Sequence, residues 1–181
     1  DALRQIRLAV VKDSQVWLTK GGVLVFHKDS RIVIPGAYVR YLRYEGRDRD
    51  APLIRDELFD GPLPIVIQKL REFLPTQFSR FSFRTPAGGL TSENEYPPQA
   101  WDEAVVNAVI HRSYSQQTRP VRIDHYNDRF EISSPGTYPL GVTPDNFIHT
   151  PRNTNTMEAL RYLDFVQMAE EGTRTMRQTM L

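Results

Sequence analysis

Hydrophobic residues recur along this chain with two periods, one typical of helices and one typical of strands. The clearest helical run extends from Pro98 to Tyr114, and its initial proline suits the first turn of a helix. When successive residues are placed about 100° apart, the apolar members of this run form one broad stripe. The stripe consists of Trp101, Ala104, Val105, Ala108 and Val109. We therefore predict a helix that buries most of its surface.

Three polar side chains follow one another along this helix at four-residue intervals. Glu103, Asn107 and His111 lie to one side of the stripe, and Val106 and Ile110 border them on the other flank. A solvated face would not be bordered by apolar residues on both sides, so these groups need partners. The partners are protein groups, water or a ligand, and the spacing alone leaves a structural role and a chemical role equally open.

Alternating apolar and polar residues predict strands elsewhere in the chain. One strand is predicted over residues 37–44, after the turn signal Pro35–Gly36, and a charged loop follows at 46–51. Two hairpins are predicted, one pairing residues 80–85 with 90–96 and one pairing 121–126 with 130–132.

Helical spacing also occurs in four other segments. They are residues 2–11, residues 19–26 capped by Leu18–Thr19, residues 65–74 stopped by Pro75, and residues 157 to 180 interrupted near Gly172. Residues 135–151 are rich in Pro, Gly, Thr and Asn and predict a long loop with a helical turn near 145–148. Helices and hairpins in this mixture predict an α+β fold.

Composition narrows the classes of protein. The 181 residues are 40% hydrophobic and 25% charged, which is ordinary for a globular domain, and no apolar run approaches the roughly 20 residues of a membrane span. The absence of cysteine excludes disulfides and thiolate metal sites, and we expect a cytoplasmic setting. A net charge of +1 with scattered arginines argues against direct DNA binding by this segment. Because the first residue is Asp1 rather than Met, we expect a longer protein.

Several stretches together resemble a known family. Residues 100–136 contain WDEAVVNAVIHRSYS and VRIDHYNDRFEISSPG, and these are preceded by GGVLVFHKDSRIVIPGAYVRYLRYEG and ELFDGPL and followed by PRNTNTMEALRYL. The chain resembles transcriptional regulators related to RecG, whose C-terminal portion is classed with the GHKL (Bergerat-type) ATPases. The resemblance implies a GHKL-like α/β two-layer sandwich with a mixed sheet and a small N-terminal extension. No G-x-x-x-x-G-K-[ST] phosphate loop is present, so helicase activity of this segment is not expected.

The resemblance also implies a site for ATP and Mg²⁺. In GHKL ATPases one helix supplies a metal-binding Asn and, in the hydrolytic branch, a Glu that activates water, and the matching positions are Asn107 and Glu103. An amide oxygen suits Mg²⁺, and a carboxylate one turn away suits proton abstraction from water. Further cofactor-binding positions implied by the resemblance are His111, Ser133, Ser134, Gly136, Arg152, Gly172 and Arg174.

Two departures from the family pattern bear on nucleotide binding. GHKL proteins read adenine with an Asp in a D-x-G-x-G loop, and this chain has Ser133-Ser134-Pro135-Gly136 at that position. The exocyclic amine of adenine would therefore lack its usual acceptor. In the second glycine-rich element, Arg174 stands where the family often has glycine, which hinders close backbone approach to phosphate but offers a guanidinium instead.

Two functions of different classes follow from these observations. We predict a connector or the end of an upstream domain at residues 1–34 and a GHKL-like domain at residues 35–181. In the first function, this domain binds ATP-Mg²⁺, with weak hydrolysis left open, and relays its state to DNA-binding parts elsewhere, because family members usually carry a Schlafen-type AlbA domain. In the second, it is a degenerate scaffold for homo-oligomerisation or partner docking.

Overall fold

A four-stranded mixed sheet with helices on one face forms the centre of the molecule, in a computed structural model that describes residues 2–137 and 152–166. The helices are α1 (Ala2–Gln5), α2 (Lys20–Phe26), α3 (Leu63–Phe73), α4 (Pro98–Ile110) and α5 (Thr154–Tyr162). The strands are β1 (Ala9–Lys12), β2 (Gln15–Leu18), β3 (Tyr38–Tyr44), β4 (Leu53–Asp60), β5 (Arg80–Arg84), β6 (Leu90–Asn94), β7 (Val121–His125) and β8 (Phe130–Ser133). The predicted α+β class is confirmed.

The central sheet has the strand order β4-β3-β7-β8. Strands β3 and β7 run parallel, with Tyr41 opposite Ile123, whereas β4 and β8 pair antiparallel at the two edges. Because β3 and β7 are parallel, the chain must cross over between them, and the crossover contains β4, α3, the β5–β6 hairpin and α4. Helices α3 and α4 thereby come to lie on one face of the sheet.

The main core lies between that face and the helices. Val39, Tyr41 and Ile123 of the sheet pack with Ile67 of α3 and Val105 of α4, and all five are at most 2% exposed. Val106 and Ile110 of α4 are also buried. The prediction that α4 buries most of its surface is therefore confirmed.

The opposite face of the sheet is closed by ion pairs. The carboxylate of Asp124 on β7 is almost fully buried and accepts hydrogen bonds from Arg122 at 2.7 Å and from Arg49 at 2.9 Å. Tyr44 stacks on Tyr126 beside them, with ring centroids 5.1 Å apart. Since charged and aromatic side chains cover this face, the chemistry predicted for α4 belongs to the helical side.

One predicted helix is wrong. Residues 2–11 form the short helix α1 followed by strand β1, which pairs with β2 through a turn at Asp13–Ser14. Both turn residues have positive φ, 51° and 60°, as a two-residue hairpin turn of type I′ requires. The apolar residues Val10 and Val11 are β-branched and suit a strand, so their helical spacing was a coincidence.

Other boundaries are largely as predicted. Thr19 caps α2 by accepting a hydrogen bond from the Gly22 N–H at 3.2 Å, and both predicted hairpins are present. Strand β4 was not predicted, because at the sheet edge it exposes Leu53, Ile54 and Leu58 and so shows no amphipathic alternation. The predicted loop and helical turn over 135–151 lie mostly outside the described residues. The helix predicted from residue 157 is wrong over residues 163–166, because α5 ends at Tyr162 and Asp164 has φ +59°, and its part beyond residue 166 lies outside the described residues. The division at residue 34 stays a prediction.

Candidate functional site

Glu103 and Asn107 form a hydrogen-bonded pair on α4. The Nδ2 of Asn107 donates to Oε1 of Glu103 at 2.9 Å, and both residues are half-buried. One helical turn separates them, so the helix itself sets this geometry. The bond orients the Asn107 amide. No described residue donates to Oδ1 of Asn107 or to Oε2 of Glu103, so both atoms can accept hydrogen bonds from a ligand or bind a cation.

His111 lies just beyond the end of α4 and not within it. The helix ends at Ile110, four residues earlier than predicted, and the His111 main-chain N–H donates to the Asn107 carbonyl at 2.9 Å. The backbone of His111 is still close to helical, with φ −88° and ψ 0°. His111 therefore closes the last turn of α4 as its C-cap, and its predicted contact with phosphate stays a prediction.

The end of β8 lies against α4. Ser134 donates its hydroxyl proton to the Ala108 carbonyl at 2.6 Å, and the Pro135 carbonyl accepts from the Ser113 N–H at 2.7 Å. Ser133 is exposed at the end of β8. The hydroxyl of Ser134 is thus committed to the helix backbone, so of the two predicted serines only Ser133 presents an uncommitted side chain.

Gly136 and Arg152 come together although sixteen residues separate them in sequence. Gly136 has φ +131°, and a Cβ built on it would lie 3.1 Å from Nη1 of Arg152 and 3.1 Å from Cβ of Ser113. Arg152 also donates to the Thr137 carbonyl. Two predicted site residues therefore share one location, at the C-terminal end of α4. Gly172 and Arg174 lie outside the described residues.

Asn153 was not predicted as a site residue. Its side chain connects the start of α5 to the end of α4. Its Nδ2 donates to the carbonyls of Ile110 and Arg112, the latter at 2.8 Å. These carbonyls belong to a helix end, where backbone acceptors lack intrahelical partners. The position of Asn153 directly after Arg152 in the PRN stretch was the available signal.

Arg112 was also not predicted as a site residue. Its side chain is buried, with only 1% of the residue exposed. It donates to the carbonyls of Gln116 at 3.0 Å and Arg119 at 2.6 Å, and its guanidinium lies 4.6 Å from the centre of the Tyr114 ring. Burial lowers the pKa of Arg112. The guanidinium organises the loop after α4 through main-chain acceptors, and no carboxylate of the described residues pairs with it.

The structure and the comparisons with known proteins agree on the class of fold. The crystal structure of the DIP2311 protein from Corynebacterium diphtheriae superposes with a TM-score of 0.78, at 18% sequence identity. The alignment covers 98% of this chain and 35% of that chain, so the present chain spans about a third of that protein. At this identity the likeness shows the shared fold alone.

A family model matches the C-terminal part of the chain. Residues 118–181 match the family described as "Putative ATP-dependent DNA helicase recG C-terminal". This match supports the RecG-related resemblance for the segment that contains β7, β8 and α5. Glu103 and Asn107 lie outside the matched residues. No curated protein matches the chain.

A further observation limits the chemistry of the described residues. Within residues 2–137 and 152–166, no three His, Asp or Glu side chains cluster as a metal site. A cation at Asn107 would therefore depend on oxygen atoms of its ligand as well as on the protein, as Mg²⁺ bound to a nucleotide does.

Within residues 2–137 and 152–166, no helix has the length and apolar character needed to cross a membrane.

Proposed function

We propose that this chain is a GHKL-like module of a transcriptional regulator, which binds ATP with Mg²⁺ at the Glu103–Asn107 pair and relays its state to DNA-binding regions elsewhere in the full protein. The observation that carries the proposal is the 2.9 Å hydrogen bond between the two side chains in a half-buried position. The family match at residues 118–181 supports the nucleotide class.

The donor set suits the proposed ligand. Mg²⁺ prefers oxygen ligands and usually completes its shell with water and phosphate oxygens, so one amide oxygen from Asn107 is a sufficient protein contribution. The Glu103 carboxylate would orient a water molecule and accept its proton if hydrolysis occurs. His111 follows one turn later, and Ser133 and Gly136 stand at the end of the adjacent hairpin.

Calorimetric titration of residues 1–181 with ATP and MgCl₂ tests this proposal. Asn107→Ala should abolish the binding heat, whereas the matched variant Asn94→Ala, on the exposed strand β6, should bind as the unmodified chain does. Glu103→Gln should retain binding because glutamine can still accept the Asn107 hydrogen bond, and it should lose any phosphate release. Absence of heat at millimolar nucleotide from the unmodified chain would refute the proposal.

A second function, docking to another copy of the chain, is favoured by two exposed apolar hairpins. Trp17 on β2 is 56% exposed, and Phe81, Phe83 and Leu90 on β5–β6 are 56%, 44% and 78% exposed. Large apolar groups clustered on a surface mark interaction sites. Sedimentation velocity should show a dimer that Phe81→Ser with Phe83→Ser dissociates, whereas Ile32→Ser, at a site 73% exposed, should not. A monomeric unmodified chain at high concentration would exclude this function.

A further inference from the structure

A pocket of about 360 Å³ opens at the C-terminal end of α4, where α2, the loop after α4 and the start of α5 meet. Its polar lining includes Lys20, Ser113, Ser115, Arg152, Asn153 and Thr156. Arg152, one of the cofactor-binding positions implied by the resemblance, lines it, but neither Glu103 nor Asn107 does, so the pocket is separate from the Glu103–Asn107 pair.

The charges of this lining have one sign. Lys20 and Arg152 are its charged residues, and both are cations, while Ser113 and Ser115 contribute hydroxyl groups whose oxygens lie 2.7 Å apart. No carboxylate of the described residues lines the pocket. Cationic and hydroxyl donors without a competing carboxylate select an oxyanion over a cation or a neutral ligand.

Thr156 supplies the observation that points to a ligand. The residue is 3% exposed and lines the pocket, yet its hydroxyl has no hydrogen-bond partner among residues 2–137 and 152–166. The completely buried side-chain atoms that lack a partner in the described residues are Arg112 Nε and His125 Nε2, so Oγ1 of Thr156 keeps some contact with the pocket, where a ligand can reach it. A ligand oxygen in the pocket would satisfy it.

Gly21 keeps the space in front of Thr156 open. A Cβ built on Gly21 would lie 3.2 Å from Oγ1 of Thr156 and 3.1 Å from Cδ2 of Leu8. These contacts are tighter than ordinary van der Waals contacts, so any side chain at this position would crowd the hydroxyl. The glycine therefore maintains access to Thr156 from the side of α2.

A second hollow of about 650 Å³ adjoins the pocket and shares Lys20 and Gly21 with it. Arg4 and Arg7 line this hollow, and again no acidic residue of the described chain does. Across both spaces the charged lining residues are Arg4, Arg7, Lys20 and Arg152, all of them cations. The arrangement suits a ligand with several linked anionic groups more than a single small anion.

We propose that the pocket beside Thr156 binds one phosphate group of an oligophosphate and that the adjoining hollow receives the next groups. Lys20 lies between the two spaces and contacts both groups. The ligand is a free oligophosphate or the phosphate tail of a nucleotide, which share this chemistry. The inference does not depend on ATP binding at Asn107.

Titration of residues 1–181 with inorganic phosphate, pyrophosphate and tripolyphosphate, at constant ionic strength, tests the pocket. Affinity should rise in that order. Thr156→Val should weaken tripolyphosphate binding by about tenfold, the loss expected for one hydrogen bond to a charged group. Because the Thr156 hydroxyl has no partner in the described structure, this variant should fold as well as the unmodified chain, which thermal unfolding checks.

Charge-matched variants separate a built site from general attraction to a basic surface. Lys20→Gln should weaken binding at least about tenfold, whereas Lys28→Gln, beyond the end of α2, should leave it unchanged. Unaltered binding by Thr156→Val, or equal losses for the two lysine variants, would overturn the proposal.

The same variants identify the source of the phosphate groups and keep the two proposals apart. Asn107→Ala should retain tripolyphosphate binding even if it abolishes ATP-Mg²⁺ binding. Loss of tripolyphosphate binding in Asn107→Ala would overturn the separate pocket. If Lys20→Gln weakens both ATP and tripolyphosphate, the ligand is a nucleotide tail, and if it weakens tripolyphosphate alone, the ligand is a free oligophosphate.

Discussion

The hydroxyl of Tyr41 and Nδ1 of His125 lie 2.8 Å apart on adjacent strands of the central sheet. His125 is 1% exposed and contacts the rings of Phe78, Tyr96 and Phe130, with centroid distances between 5.6 and 6.1 Å. Burial, with a smaller contribution from Arg43, lowers the pKa of His125 to about 4. The imidazole is therefore neutral inside this aromatic cluster at physiological pH.

The neutral His125 makes stability depend on pH in one window. In the unfolded chain a histidine has a pKa near 6.5, so between about pH 6.5 and pH 4 the unfolded state binds a proton that the folded state does not. The contribution of the neutral His125 to the free energy of unfolding is fully present above about pH 6.5. It should be lost as pH decreases through this window, by on the order of 1–3 kcal/mol. Urea denaturation at a series of pH values measures the loss.

His125→Gln provides the control for this prediction. Glutamine keeps a polar group near the Tyr41 hydroxyl but does not titrate, so the stability of the variant should vary less between pH 7 and pH 4. His27→Gln, where the ring nitrogen contacts the main chain of Asp29 at an exposed site, should retain the full pH dependence. Equal pH profiles for all three proteins would show that His125 does not cause the loss.

Arg112 should be the most costly arginine to replace. Arg112→Met preserves the apolar stem but leaves the carbonyls of Gln116 and Arg119 without their donor, so we expect a loss of about 2–4 kcal/mol. Denaturant unfolding gives the value. Arg119→Met changes an exposed side chain and should cost no more than about 0.5 kcal/mol. A similar cost for both variants would contradict the structural role of Arg112.

A bidentate ion pair connects α3 to α4. The Arg71 guanidinium donates to both carboxylate oxygens of Asp102, at 2.7 and 2.9 Å, and also to the Phe165 carbonyl at 3.1 Å. Since both side chains are about one-third exposed, Asp102→Asn should cost only about 0.5–1.5 kcal/mol, and less at high salt. Glu57→Gln, in the single-contact pair with Arg55, should cost less in the same urea titration. A larger cost for the latter would refute this ranking.

The helices and strands with a periodic pattern could be predicted because the pattern reflects which side chains are buried. The stripe on α4 and the alternation in β3 and β7 all reflect a covered face, and the structure buries those residues apart from the half-buried Ala104. Strand β4 could not be predicted in this way, since an edge strand is held by backbone pairing that leaves little trace in side-chain pattern. The turn at Asp13–Ser14 depends on positive φ at two residues that are not glycine.

Local sequence was a weaker guide to the candidate site. The four-residue spacing of Glu103 and Asn107 is local, and it predicted that they lie side by side, as the 2.9 Å hydrogen bond shows. The partners of Asn153, and the residues that surround Thr156 in its pocket, come from separate parts of the chain and are set by the packing of α2, α4 and α5. Long-range contacts of this kind have no periodic signal, and the contacts of Arg112 with the nearby carbonyls of Gln116 and Arg119 depend on an irregular loop, so these residues were found only in the structure.

Gly36 offers a strict test of the packing around Arg112. A Cβ built on it would lie 2.7 Å from the Gln117 carbonyl oxygen and 2.8 Å from the Thr118 carbonyl carbon, so the backbone itself would have to move. Gly36→Ala should therefore cost about 1–3 kcal/mol through overpacking. Thermal and urea unfolding measure this cost.

Gly88 is the matched control, because a Cβ built on it meets no atom within 4 Å although its φ is +85°. Gly88→Ala reports backbone strain without crowding and should cost about 1 kcal/mol. It should leave the near-ultraviolet circular dichroism of the core unchanged, whereas Gly36→Ala should alter the signal of Tyr114, whose ring packs on the Arg112 guanidinium. If Gly36→Ala were the less costly of the two, the close approach of the residue 36 backbone to the loop after α4 would be wrong.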